Sequence, residues 1–190
     1  MKVTRVHRLM TELCAECIKA PADHVYVFDF DNTLGIKNYV LWLHGVVSHK
    51  GNGEPDDVLL APGSTQLGKS KARIIIISRR NSDGMAEIAK HMRDWRIDAL
   101  LLSSLDANGD TLPKGEVLKT NWGPLATQYR VLVFVDDEQS ARDSVERVAN
   151  DLGGLDEVQI VAVDLLEELK AQIHPTRLEY QSQLYAESLQ

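Results

Sequence analysis

The sequence predicts an α/β domain of three layers built on a central, mainly parallel sheet of five strands. Three observations point to it. Five short runs are almost wholly apolar and rich in β-branched residues, as strands buried on both faces require. Most of the segments joining them carry apolar residues at helical spacing, so strand and helix alternate along the chain. Three of the five runs also end in polar residues, at Asp29 and Asp31, at Ser78, and at Asp136 and Asp137.

The elements follow in order. Residues 3–20 read as an amphipathic helix, with Val6, Met10, Leu13, Cys14 and Cys17 on one stripe and Pro21 stopping it, so residues 1–22 form an N-terminal helical segment. Cys14 and Cys17 are a lone Cys-x-x-Cys; a structural zinc site needs a second pair of ligands, so they read as buried helix cysteines. The first strand spans about 24–30. Residues 35–73 are mixed: 39–43 are apolar, whereas 48–57 have the composition of a loop. Four consecutive isoleucines make 73–78 the least ambiguous strand. A helix follows over 83–95, with Ser82 or Asp83 as N-cap and Met85, Ile88, Ala89, Met92 and Trp95 facing inward. Residues 99–102 form a third strand and 104–111 a loop. Residues 114–121 make one or two helical turns, closed by Trp122-Gly123-Pro124. A fourth strand at 130–135, a helix at 138–150, a fifth strand at 158–163 and a last helix at 164–173 complete a Rossmann-like domain over residues 1–190. The tail from 176 to 190 has only scattered apolar residues.

Composition narrows the function. Of 190 residues, 44% are hydrophobic and 26% charged, as in ordinary globular proteins. A net charge of −7 argues against coating nucleic acid by charge alone, while leaving room for action on a nucleic-acid end through a local basic patch. No apolar run approaches the ~20 residues of a membrane helix, and residues 1–8 lack the apolar core of a secretory signal. A soluble, cytoplasmic protein with no membrane partner is expected.

In parallel sheets of this kind ligands bind outside the carboxyl ends of the strands. There the first strand delivers Asp29 and Asp31, two carboxylates whose shared desolvation is costly unless they meet a cation. Mg²⁺ suits oxygen ligands and phosphate substrates. The string Asp29-Phe30-Asp31-Asn32-Thr33, then Ser78, then Lys114 ahead of a helix, then Asp136-Asp137 resembles, in order, the four motifs of the haloacid dehalogenase superfamily of phosphatases, across residues 25–140. The resemblance implies a phosphatase with Asp29 as nucleophile, forming an aspartyl-phosphate, and Asp31 as general acid/base. It implies that Ser78 holds the phosphoryl group, with Thr33 beside it, and that Lys114 aims at the nucleophile and the developing charge; Arg79 and Arg80, directly after Ser78, are each able to reach the phosphate, and Arg79 is the one selected. Mg²⁺ would be held by Asp29, Asp31 (through its main-chain carbonyl), Asp136 as the first-choice acid, and Asp137.

Two further strings bear on ligands. Residues 63–70 match G-x-x-x-x-G-K-[ST] letter for letter, but the strand at 73 leaves no room for the helix a P-loop needs, so a surface turn is expected. The gap of about 40 residues from Leu34 to Arg73 suggests a small cap or none, hence an open site and a large phosphorylated substrate such as a nucleic-acid 3′-phosphate end. The spacing from Lys114 to Asp136 and the 38–42 stretch are similar to polynucleotide 3′-phosphatase and RNA-repair-like members. Small-molecule phosphatase or nucleotidase action, or a non-catalytic binding role, are the alternatives. Trp42 reads more readily as core than as a base-stacking platform.

Overall fold

A computed structural model of the chain describes residues 1–47 and 58–172. The expected loop at 48–57, the end of the last helix and the tail lie outside the described residues. The chain runs β1 (Lys2–His7), α1 (Met10–Lys19), β2 (His24–Phe28), β3 (Gly35–Lys37), α2 (Asn38–Leu43) and β4 (Val58–Leu60). A 3₁₀ turn (Ser64–Lys69) then leads to β5 (Arg73–Ser78), α3 (Ser82–Asp94), β6 (Ala99–Ser103), α4 (Lys114–Trp122), β7 (Val131–Asp136), α5 (Gln139–Val148) and β8 (Glu157–Ala162). Helix α6 covers 165–172.

Six of these strands form one sheet in the order β1-β8-β7-β2-β5-β6, every pair parallel. The α/β, three-layer, Rossmann-like prediction holds, with one strand more than expected. Alternate residues of the buried strands feed two cores. Tyr26, Phe28, Ile74 and Ile76 pack under α1, α3 and α6, whereas Val25, Val27, Ile75 and Ile77 pack under α4 and α5. The isoleucine run is therefore buried on both faces.

The extra strand is the N-terminus. Residues 2–7 are not helix; they extend beside β8 in parallel register, from Lys2 opposite Glu157 to His7 opposite Ala162. Lys2 and Arg5 place charge on this edge, and Arg5 pairs with Asp143 and Glu146 of α5, which discourages further strand pairing there. The helix begins only at Met10, and its first turn is capped from the far end of the chain. The Glu168 carboxylate of α6 accepts the N–H groups of Met10 at 2.7 Å and Thr11 at 3.0 Å. Cys14 and Cys17 are buried on α1 as expected, and burial pushes their thiols up to about 12 and about 11.

The segment between the first two motifs makes a β3–β4 hairpin with α2 following β3 directly. The P-loop-like string forms the 3₁₀ turn, and it is no mere surface turn: Ser64 and Leu67 are buried, and Gly63 (φ +83°) lies so close to α1 that a Cβ there would sit 3.2 Å from that of Cys14. No helix starts at Lys69, so the string lacks the amide cradle of a P-loop. Asn81, rather than Ser82 or Asp83, caps α3, its side chain accepting the Gly84 N–H at 3.0 Å.

Candidate functional site

β2 lies at the middle of the sheet, where the chain order reverses. From β2 the chain builds outward through β5 and β6, then crosses back through α4 to β7 and β8. That reversal opens a crevice beyond the carboxyl ends of β2 and β7. Asp29 follows β2 directly, its N–H bonded to the Val135 carbonyl at 2.9 Å, and Asp136 ends β7. The chain then turns back on itself: Leu34 and Gly35 both donate to the Phe30 carbonyl, and Asn32 adopts a left-handed φ of 61° that Asn tolerates well. This turn brings Asp31 to the rim.

Lys114 enters from α4. A helix-opening lysine would ordinarily be solvated, but Lys114 is 3% exposed. Its ammonium donates to Asp29 Oδ1 at 2.5 Å and Asp136 Oδ2 at 2.7 Å. What holds it there is the contact of α4 with α5. Gly115 has no side chain, and a Cβ at that position would collide with the Ser144 carbonyl oxygen. The Gly115 N–H instead donates to Ser144 Oγ at 3.0 Å. The other oxygen of Asp136 accepts the Glu138 N–H at 2.8 Å, fixing that carboxylate.

Asp29, Asp136 and Asp137 each offer an oxygen to one place, the three atoms lying within 4.8 Å of one another. A cluster of hard oxygen donors with such short mutual spacings suits Mg²⁺. The electrostatics point the same way. Burial, opposed by the Lys114 charge and reinforced by Asp136, pushes the Asp29 carboxyl up to about 7. Burial and Asp136 likewise push Asp137 up. Burial opposes the charge on Lys114, yet Asp29 and Asp136 outweigh it and hold the ammonium charged, above its ordinary range. A single lysine thus leaves the carboxylates short of positive charge, and the residues present fit a divalent cation.

Asp31 faces elsewhere. The fork of Arg80 grips it with two hydrogen bonds, Nε to Oδ2 at 2.9 Å and Nη2 to Oδ1 at 2.6 Å. Arg80 is itself fixed by Glu87 at 2.7 Å and lies over the Phe30 ring, 5.0 Å from its centroid. The Asp31 side chain is therefore not part of the acidic trio. Arg79, singled out for phosphate, pairs with Glu138 at 2.6 Å across the rim; that contact holds Glu138 below its ordinary range although burial opposes it.

A cavity of about 300 Å³ is lined by Asp29, Asp31, Asn32, Arg79, Lys114, Asp137 and Glu138. The sequence-selected Asp29, Asp31, Arg79, Lys114 and Asp137 all meet there, with Asp136 just beneath. Thr33 and Ser78 do not line it. Both are fully buried; Ser78 Oγ accepts the Arg80 N–H at 3.3 Å, and the Thr33 hydroxyl has no hydrogen-bond partner among the described residues. Sequence reasoning underrated Arg80, which holds the second carboxylate of Asp-x-Asp. Its place directly after Arg79 gave no means of choosing between them.

No family model, curated protein or solved structure matches the chain. No helix among the described residues is long and apolar enough to cross a membrane.

Proposed function

We propose that the protein is a Mg²⁺-dependent phosphomonoester hydrolase that works through an aspartyl-phosphate on Asp29. The observation that carries this reading is the cluster of two buried carboxylates, Asp29 and Asp136, with the exposed Asp137 beside them, closed on one side by Lys114 at 2.5 and 2.7 Å. A structural ion pair needs two charges; three converging carboxylates around one buried lysine suit a site that takes up a cation and a phosphate together. The resemblance of the four motifs to haloacid dehalogenase phosphatases supports the same chemistry.

Asp29, Asp136 and Asp137 would hold Mg²⁺, which when bound neutralises phosphate oxygens and screens the two anions that must meet. A carboxylate oxygen of Asp29 attacks phosphorus; the O–P bond to Asp29 forms as the P–O bond to the leaving alcohol breaks. Asp31 gives a proton to the departing oxygen; the Arg80 fork sets where that carboxyl sits, and one of its two prongs gives way when Asp31 carries the proton. Water then attacks the same phosphorus and passes its proton to Asp31. The P–O bond to Asp29 breaks, releasing inorganic phosphate and restoring both acids. Lys114 holds the Asp29 carboxylate in place and keeps positive charge beside it.

The test is p-nitrophenyl phosphate turnover with Mg²⁺, with EDTA and Asp29→Asn as controls. Turnover abolished by both supports the reading; turnover indifferent to both removes it.

A further inference from the structure

A second cleft, of about 310 Å³, opens directly beside the candidate phosphate cavity. The two share Asn32 and Asp137 in their linings, so the second cleft adjoins the space a phosphate's leaving group would enter. We propose that this cleft is the leaving-group subsite, and that it takes a single uncharged, ring-bearing alcohol of nucleoside or aryl size rather than a strand of phosphates. The proposal rests on the phosphatase reading and deepens it.

Much of the lining is apolar and comes from two separate parts of the chain. Ile36 of β3 and Val40 of α2 line it together with Val163, Leu165 and Leu166, which lie at and just before the start of α6. Ile36, Val163 and Leu165 are buried, and Val40 and Leu166 are half-buried, so these side chains form a slot rather than a scattered surface patch. A cleft with such an apolar lining favours a flat or compact apolar body. Its polar groups are Asn32, His44, Asp137 and Asp164. They supply acceptors and an amide suited to hydroxyl or ring N–H groups on the ligand.

Charge decides against a polyanion. Lining the two cavities together are five carboxylates (Asp29, Asp31, Asp137, Glu138 and Asp164) against two cations, Arg79 and Lys114. A bound divalent cation leaves that lining with no surplus of positive charge to hold a second phosphate. Arg79 is committed to Glu138, Arg80 to Asp31 and Glu87, and Arg142 to the Asp136 carbonyl. The second phosphate of a nucleic-acid strand would meet Asp137 or Asp164 where it needs a cation, and like charges so placed are repelled.

The experiment compares kcat/KM, with Mg²⁺, for nucleoside 3′- and 5′-monophosphates, p-nitrophenyl phosphate, acetyl phosphate (a mixed anhydride) as a minimal phosphoryl donor without a ring, and a 3′-phosphorylated oligonucleotide. The expected result is that at least one ring-bearing monoester exceeds the oligonucleotide by tenfold or more; which one does so separates nucleosides from simple aryl alcohols. Val40→Asp and Leu166→Asp each lower the ratio of that monoester to acetyl phosphate by about tenfold. Far-UV circular dichroism accompanies each variant, and Leu166→Gln replaces Leu166→Asp if the latter melts. An oligonucleotide preferred over every monoester overturns the inference, as does an unchanged ratio in the folded variants. Absence of Mg²⁺-dependent phosphate release from all of them, acetyl phosphate included, overturns the phosphatase reading and the inference with it.

Discussion

Replacing Lys114 by Met removes the ammonium from between two buried carboxylates while keeping most of the side chain's bulk. The charge sits 2.5 Å from Asp29 and 2.7 Å from Asp136 at a residue 3% exposed, so water cannot take its place. Removing one partner of a buried pair costs about 3–5 kcal/mol. In a chain of this length each kcal/mol moves the melting temperature by about 2–4 °C, so Tm falls by roughly 6–20 °C near pH 8. The sign of the pH dependence follows from Asp29. Burial raises its carboxyl from 3.8 to about 7, so its ionisation penalises the fold increasingly as pH climbs between those values and by a constant amount above them. Without Lys114 the folded-state value rises further, and the penalty keeps growing above pH 7. The Tm gap between wild type and Lys114→Met therefore widens from pH 6 to pH 8, and Mg²⁺ narrows it by supplying the missing charge. Thermal unfolding followed by circular dichroism, with Mg²⁺ and with EDTA, measures both. A gap under 3 °C, or one that ignores both pH and Mg²⁺, refutes the view that Lys114 is the counter-ion of the acidic cluster.

Three other outcomes are expected. Gly115→Ala gains helix propensity but drives a Cβ into the Ser144 carbonyl oxygen, so urea titration should show a net loss of about 1–3 kcal/mol and phosphate release should fall as Lys114 shifts. Glu168→Ala leaves the buried Met10 N–H without its cap, and the same titration should register a loss of about 1–2 kcal/mol with phosphatase activity retained. Arg80→Lys replaces a two-pronged grip on Asp31 by a single contact. It should lower kcat by about 10²-fold with KM little changed, whereas a merely structural role would lower the melting temperature without that split between kcat and KM.

The sheet and its chemistry were legible where local residues decide the outcome. Ile74–Ile77 could only be a doubly buried strand, and acids at the ends of two apolar runs had to meet at one edge once the strands were parallel. Lys114 was found through the order of the motifs, but its burial depends on Gly115 and Ser144, which touch only after α4 and α5 pack. The N-terminal strand was misread because Val6 continues the apolar stripe of Met10, Leu13 and Cys17. The signal that starts the helix, a carboxylate cap, comes from Glu168, some 158 residues away in sequence. Arg79 and Arg80 are indistinguishable by composition; only the tight turn at 30–35 decides which of them reaches Asp31.

The proposed chemistry depends above all on Asp29 as the nucleophile. Asp31→Asn enzyme, incubated with p-nitrophenyl phosphate and Mg²⁺, quenched in acid and digested, should yield the peptide carrying Asp29 heavier by one phosphoryl group, because attack proceeds while hydrolysis of the acyl phosphate stalls. Unmodified peptide from enzyme that has released p-nitrophenol, together with undiminished turnover by Asp29→Asn, would contradict it.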